Sequence, residues 1–295
     1  MQFAVGIARR NKTLARALLA CVPDIHWHIN IPEIGRFRVR LRRNRSFLLR
    51  SPLTHEWYPL AALKAFVKPS DIVWDVGANL GLYTRWLVSH LDAKHVYSFE
   101  PMSENLPELR YNVDLGKIAD RVTIVPWALS DVDGEVEFQI DDMQSASGTI
   151  NAVTGGEASR GRSALGLSPR VEKVTSRTLD GIAREGAVPM PDVIKVDVEG
   201  AERLLLDGGE TFFTEHAPRI VIETHSLEVS KRCLEFLCRH GYVVAACVPQ
   251  SWNPNRHMRF NQDDLNRMTD QYDAHFIMAS KNPADLPEKL DYAHL

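Results

Sequence analysis

Hydrophobic residues in this chain gather into short runs that recur at regular intervals. From residue 71 the runs are DIVWDV (71–76), HVYSFE (95–100), VTIVPWAL (122–129), PDVIKVD (191–197), RIVIETH (219–225), YVVAACV (242–248) and AHFIMASK (274–281). Apolar runs this short, bounded by polar residues, read as strands covered on both faces. Between most of them the apolar positions recur at helical spacing, over Leu80–Leu91, Asn105–Leu115, Ala201–Glu210 and Leu227–His240. Strands alternating with helices predict βα units and a mostly parallel sheet with helices on both faces.

The flanks follow other rules. Over residues 34–50 Phe37, Val39 and Leu41 alternate with Arg38, Arg40 and Arg42. That period of two predicts a half-exposed strand in a hairpin turning at Arg43–Asn44–Arg45, its arginine face either solvated or turned to an anionic substrate. In the first twenty residues Ile7, Leu14, Leu18 and Leu19 form an apolar stripe, with Arg9, Arg10, Lys12 and Arg16 on other faces. The stripe predicts an amphipathic helix, docked on the domain or in peripheral contact with a membrane or partner. Its basic residues interrupt any signal-peptide core. Two extended pieces, GEVEFQI (134–140) and VEKVTSRTL (171–179), bracket a Ser/Gly-rich insert at 141–170. The insert reads as a surface loop or as a lid over a site. The layout is thus a helix and hairpin extension (1–68), a main domain (69–282) and a tail (283–295).

Composition narrows the function. The 295 residues are 44% hydrophobic and carry a net charge of −3, which gives no general attraction to nucleic acid or anionic membrane. No apolar run approaches the roughly 18–20 residues of a membrane span. Cys21, Cys233, Cys238 and Cys247 form no CxxC pair and read as reduced thiols of a cytoplasmic protein.

The first run leads into Gly77-Ala78-Asn79-Leu80-Gly81. This loop lacks the GxGxxG of dinucleotide folds and the GK[ST] of a P-loop. Asp75, at the end of the strand, suits an ammonium group, while the following helix N-terminus suits a carboxylate. The second strand ends at Glu100, where an acid accepts hydrogen bonds from two ribose hydroxyls. An amino acid joined to a ribose describes S-adenosylmethionine. Taken singly, Asp75 reads equally as a cap and Glu100 as a surface acid.

The segments DVGANLGLYT, SFEP, VPWALSD, TLDGI, IKVDVEGAE and IVIETH occur in this order, and together they resemble the FkbM-type methyltransferases over roughly residues 70–280. The resemblance implies a class I methyltransferase, Rossmann-like α/β fold: a seven-stranded, mostly parallel sheet with the last strand antiparallel. It implies S-adenosylmethionine-dependent O-methylation of a hydroxyl on a sugar, glycan or secondary metabolite. By the same resemblance Asp75, Gly77, Asn79 and Gly81 hold the methionine end, Glu100 the ribose, and the stretch containing Ser130 the adenine.

Two further strands end in polar clusters at the ligand-binding edge of the sheet: Lys195, Asp197 and Glu199 after the fourth, and Glu223 and His225 on the fifth. An alcohol holds its proton tightly at neutral pH, so its methylation needs a base or a metal. Either His225 is the base, oriented by Asp197 or Glu223, or Asp197, Glu223 and His225 hold a divalent metal. Lys195 joins the catalytic candidates, or serves only as an ion-pair partner, since a lysine inside an apolar strand is costly unless paired. Glu199 and Glu202 read as first-turn acids of the next helix. The arginine face, the insert, Trp57, Tyr58 and Trp252 are candidates for the acceptor pocket. N-methylation of a small molecule, or another nucleotide-binding enzyme on this fold, are the alternatives.

Overall fold

The structure, a computed structural model, describes residues 23–44, 57–141, 147–150, 168, 170–247, 257–260 and 276–287. The expected N-terminal helix, Trp252, most of the insert and the end of the tail lie outside these residues.

The hairpin is present, but it turns earlier than predicted. Strand β1 (His26–Ile31) pairs antiparallel with β2 (Gly35–Arg40), so the turn lies at residues 32–34 and precedes the basic strand. Pro32 cannot donate a ladder hydrogen bond, and Gly35 takes a φ of +73°, which favours a turn there. The alternation holds: Phe37 and Val39 are fully buried. The arginine face is engaged with acids. Arg38 bonds Glu108 at 2.7 Å and stacks 3.4 Å above the Tyr111 ring, while Arg40, Arg42 and Arg43 surround Asp24. Helix α1 (Trp57–Phe66), absent from the sequence reading, packs beneath the main sheet, with Tyr58 buried against Phe276 in the core. Tyr58 therefore does not line an acceptor pocket.

The main sheet has eight strands: β3 (Ile72–Val76), β4 (His95–Phe99), β5 (Val122–Val125), β10 (Val193–Val196), β11 (Arg219–Glu223), β12 (Val243–Cys247), β13 (His257–Phe260) and β14 (Phe276–Ser280). Across the sheet they lie in the order β13-β12-β14-β11-β10-β3-β4-β5. Strands β5, β4, β3, β10 and β11 run parallel, and β14 runs antiparallel between β11 and β12. The expected seven strands and the antiparallel last one are there; β13 adds an eighth at the edge.

Alternate residues serve opposite faces. Val73, Val96, Val193, Val221 and Met278 meet the hairpin, α1 and the helices α2 (Leu82–Ser89) and α3 (Leu106–Leu115). Trp74, Val76, Ile194, Val196, Ile220 and Ile222 meet α4 (Leu179–Glu185), α5 (Glu202–Asp207), α6 (Glu210–Glu215) and α7 (Leu227–Arg239). This two-sided burial is why the runs carry little polar alternation. The helix expected over Ala201–Glu210 is broken at Gly208, where a Cβ would lie 2.1 Å from the carbonyl oxygen of Ser130.

The two extended pieces belong to a second, four-stranded sheet, built from β6 (Ala128–Leu129), β7 (Gly134–Asp141), β8 (Ser147–Ile150) and β9 (Arg170–Arg177) in the order β6-β9-β7-β8. Strand β8 comes from the Ser/Gly-rich insert, so at least this part of it is ladder. Phe138, Ile140, Ile150 and Val174 bury against Met102, Ala128 and Ala201, which seats the sheet over the carboxyl edge of the main one. Glu104 bonds both Arg43 and Arg170, tying hairpin and second sheet to the β4–α3 loop. Among the described residues no helix is long and apolar enough to cross a membrane.

Candidate active site

The loop after β3 is shaped by a close approach. Gly77 has φ +80°, and a Cβ there would lie 1.8 Å from the carbonyl oxygen of Asp197. Only glycine lets this loop pass beneath the loop that follows β10. The N–H groups of Gly77 and Ala78 both donate to the Phe99 carbonyl at 3.0 Å. Asn79 (φ +50°) and Gly81 (φ +88°) are also left-handed, and they turn the chain into α2. The Asn79 side-chain oxygen is buried without a hydrogen-bond partner among the described residues, an acceptor left for a ligand.

Glu100 follows β4 directly. Its Oε2 accepts the Asn79 N–H and its Oε1 the Met102 N–H, each at 2.8 Å. Burial pushes its carboxyl up to about 7, despite these bonds and one from Asn105, and the negative charge of Asp75 adds to the rise. Those three bonds take three of the carboxylate's roughly four acceptor sites and leave one for a further donor.

Gly77, Asn79 and Glu100 line a cleft that opens to solvent. Trp127, Ala128 and Leu129, the second sheet's Phe138, Gly148 and Ile150, and Asp197 and Glu199 line it too, Asp197 lying beside the Gly77 turn. The unpartnered Asn79 oxygen, the glycine cradle and the buried Glu100 carboxylate all fit S-adenosylmethionine.

Asp75 and Ser130 lie elsewhere. Asp75 shares the face of Val73, pointing under α2, where it accepts the Thr84 hydroxyl at 2.7 Å and lies 3.5 Å from Lys195 Nζ. Ser130 is buried with its hydroxyl on Ser176 Oγ at 2.7 Å. Neither lines the cleft. The preceding residues Trp127, Ala128 and Leu129 do line it.

Lys195 pairs across the ladder with Asp75, reaches Asp197 Oδ2 at 3.5 Å, and sits 4.2 Å from the centre of the Tyr83 ring. It is held as an ion-pair partner beneath the site.

His225 is met by acids on both sides. Its Nδ1 is 2.7 Å from Oε1 of the fully buried Glu202, and its Nε2 is 3.7 Å from Asp197 Oδ1 and 3.6 Å from Glu199 Oε2. Burial alone would lower its pKa, but the Glu202 hydrogen bond and charge, with Asp197 and Glu199, raise it to about 10. The ring therefore carries its proton at neutral pH. Glu223 does not belong to this group; it ends β11 opposite Phe276, and Glu202 is the carboxylate on the histidine. The expected metal set of Asp197, Glu223 and His225 is replaced by Asp197, Glu199 and His225, whose ligand atoms lie within 4.8 Å of one another. The sequence shows Asp197, Glu199 and Glu202 together, but the preference of helix starts for acids hides the role of the last two. Glu199 takes φ +52°, outside the helix it was assigned to.

The sequence model of the Methyltransferase FkbM domain matches residues 75–244. Hexuronic acid methyltransferase AglP of Haloferax volcanii is 29% identical over 160 residues, 53% of this chain and 56% of AglP. The chain thus spans little more than half the length of that relative. The 31-O-demethyl-FK506 methyltransferase FkbM of Streptomyces tacrolimicus is 28% identical over 224 residues, 68% of this chain and 82% of its own. A solved methyltransferase FkbM from Methylobacillus flagellatus overlays at a TM-score of 0.44 and 16% identity, covering 73% of this chain and 47% of that one. A family match over more than half of the residues, reaching from the glycine loop through His225 into β12, makes this chain a member of the FkbM methyltransferase domain family.

Proposed function

We propose that the protein transfers a methyl group from S-adenosylmethionine to a hydroxyl of a sugar or glycan. The observation that carries this reading is Glu100, a buried carboxylate at the end of β4 that lines a cleft together with the Gly77 turn, Asp197 and Glu199. Two relatives support the acceptor class: the name of one specifies a hexuronic acid, that of the other an O-demethyl compound.

Glu100 accepts a hydrogen bond from a ribose hydroxyl, while the Gly77–Gly81 turn and Asn79 receive the methionine end. Trp127 and Leu129 supply an apolar wall for the base. The bound sulfonium supplies the methyl group, its carbon–sulfur bond breaking as a carbon–oxygen bond forms. With no ion in the site, Asp197, which lines the cleft, takes the hydroxyl proton, because His225 already holds one. His225 positions that carboxylate, and Lys195 supports it from below.

Calorimetry with S-adenosylmethionine, followed by methyl-label transfer into glycan extracts, tests this reading. One molecule bound per chain and label on a sugar oxygen are expected. No heat with S-adenosylmethionine or its demethylated product would sink the proposal.

A further inference from the structure

We infer that Asp197, Glu199 and His225 bind a divalent first-row transition ion at the wall of the cleft, and that this ion chelates two adjacent oxygens of the acceptor. The distances point to it. His225 Nε2 stands 3.7 Å from Asp197 Oδ1 and 3.6 Å from Glu199 Oε2. Both are longer than a hydrogen bond of about 2.7–3.2 Å. Two ligand atoms about 2.1 Å from a shared ion, at tetrahedral to trigonal angles, are about 3.4–3.6 Å apart.

The support behind the histidine is also of the kind metal sites use. Glu202, fully buried, fixes Nδ1 and so turns Nε2 toward the two carboxylates. Its second oxygen, Oε2, is buried and has no hydrogen-bond partner among the described residues. Lys195, the cation touching Asp197, is already shared with Asp75. A divalent ion on Nε2 replaces the imidazolium proton as the positive charge among these carboxylates.

The donor set narrows the ion. One imidazole with two carboxylates favours manganese, iron, cobalt or zinc over magnesium or calcium, which prefer oxygen alone. Three protein ligands leave coordination positions open. Asp197 and Glu199 line the cleft whereas His225 does not, so the open positions face the cleft. Two neighbouring positions match a vicinal diol or a hydroxy acid, as sugars present. This choice of acceptor rests on the methyltransferase reading; ion binding does not.

The test is titration of manganese into the metal-stripped full chain, with free Mn2+ read by electron paramagnetic resonance. One ion per chain is expected, with affinity at least tenfold weaker in Glu199→Gln and in His225→Gln. Glu199 is exposed, so its variant answers the question if the histidine variant fails to fold. Water-proton relaxation by the bound ion is expected to fall on adding a vicinal diol and not a simple alcohol. No retained manganese, equal affinity in the Glu199→Gln chain, or an equal response to both alcohols overturns the inference. Calorimetry with S-adenosylmethionine on the same preparation keeps the two readings apart: cofactor heat without manganese binding defeats only the ion, and manganese binding without cofactor heat defeats only the proposed function.

Discussion

His225 donates from Nδ1 to Glu202 Oε1 across 2.7 Å, and that carboxylate has no exposed surface. A buried acid behind an imidazole fixes which nitrogen faces the site and at what angle. Glu202→Gln keeps the volume and removes the charge. Turnover is expected to drop about 10–100-fold, with S-adenosylmethionine affinity nearly unchanged because Glu202 does not line the cleft. Parallel calorimetry and rate measurements check this; equal losses in both would point to general damage to the fold.

Glu100 sets a pH dependence. Its carboxyl, ordinarily near 4.5, is raised to about 7 by burial, so the folded chain holds a proton that the unfolded chain releases. This group's contribution to stability is full below pH 4.5 and is lost as pH rises through about 7. Cofactor affinity runs the other way, because the ionised carboxylate is the stronger acceptor for ribose hydroxyls. Binding is expected to tighten between pH 6 and 8, roughly one unit either side of that value. In Glu100→Gln the slope should vanish and affinity fall about tenfold or more, as losing a charged hydrogen bond of about 1.5–3 kcal/mol implies. If the Glu100→Gln chain kept the wild-type pH profile, the titration would belong to another group.

Gly77→Ala tests the cradle. The new methyl meets the Asp197 carbonyl at 1.8 Å in a left-handed backbone, so both loops must move. A loss of more than about 1 kcal/mol in urea denaturation is expected, with S-adenosylmethionine binding abolished. Gly35→Ala, left-handed but with nothing within 4 Å, provides the contrast: backbone strain alone and normal binding.

Lys195→Met strands the buried Asp75 charge. Breaking one side of a buried pair costs about 3–5 kcal/mol. Adding Asp75→Asn is expected to return most of that loss, since the amide keeps the Thr84 contact without the charge. A coupling energy near zero in this double-mutant cycle would mean that the two residues act independently.

The main sheet was legible in the sequence because its strands are buried on both faces. Val73 and Trp74 each have a helix layer to meet, so the runs stand out. The Gly77 turn and Glu100 were legible because backbone sterics and strand-end chemistry restrict what stands there. The hairpin turn was misplaced because Asn44 marks a turn after the basic alternation, whereas the chain had already turned at residues 32–34 before it. Asp75 illustrates the limit of reading a strand end. Its distance from the edge is visible in sequence, but its face depends on Lys195, which faces it across the ladder. Glu202 was hidden because its partner lies 23 residues on and meets it only after folding.

The second sheet divides the labour of the cleft. The glycine turn and Glu100 belong to the main sheet, whereas Phe138, Gly148 and Ile150 hang from strands that leave and rejoin a separate ladder. The chain from Ile150 to Arg170 begins and ends in that ladder, and Thr149 clips it to the Val198 carbonyl. Side chains of Phe138 and Ile150 can therefore be exchanged within their own ladder while the Gly77 turn and Glu100, which the main sheet carries, keep their positions.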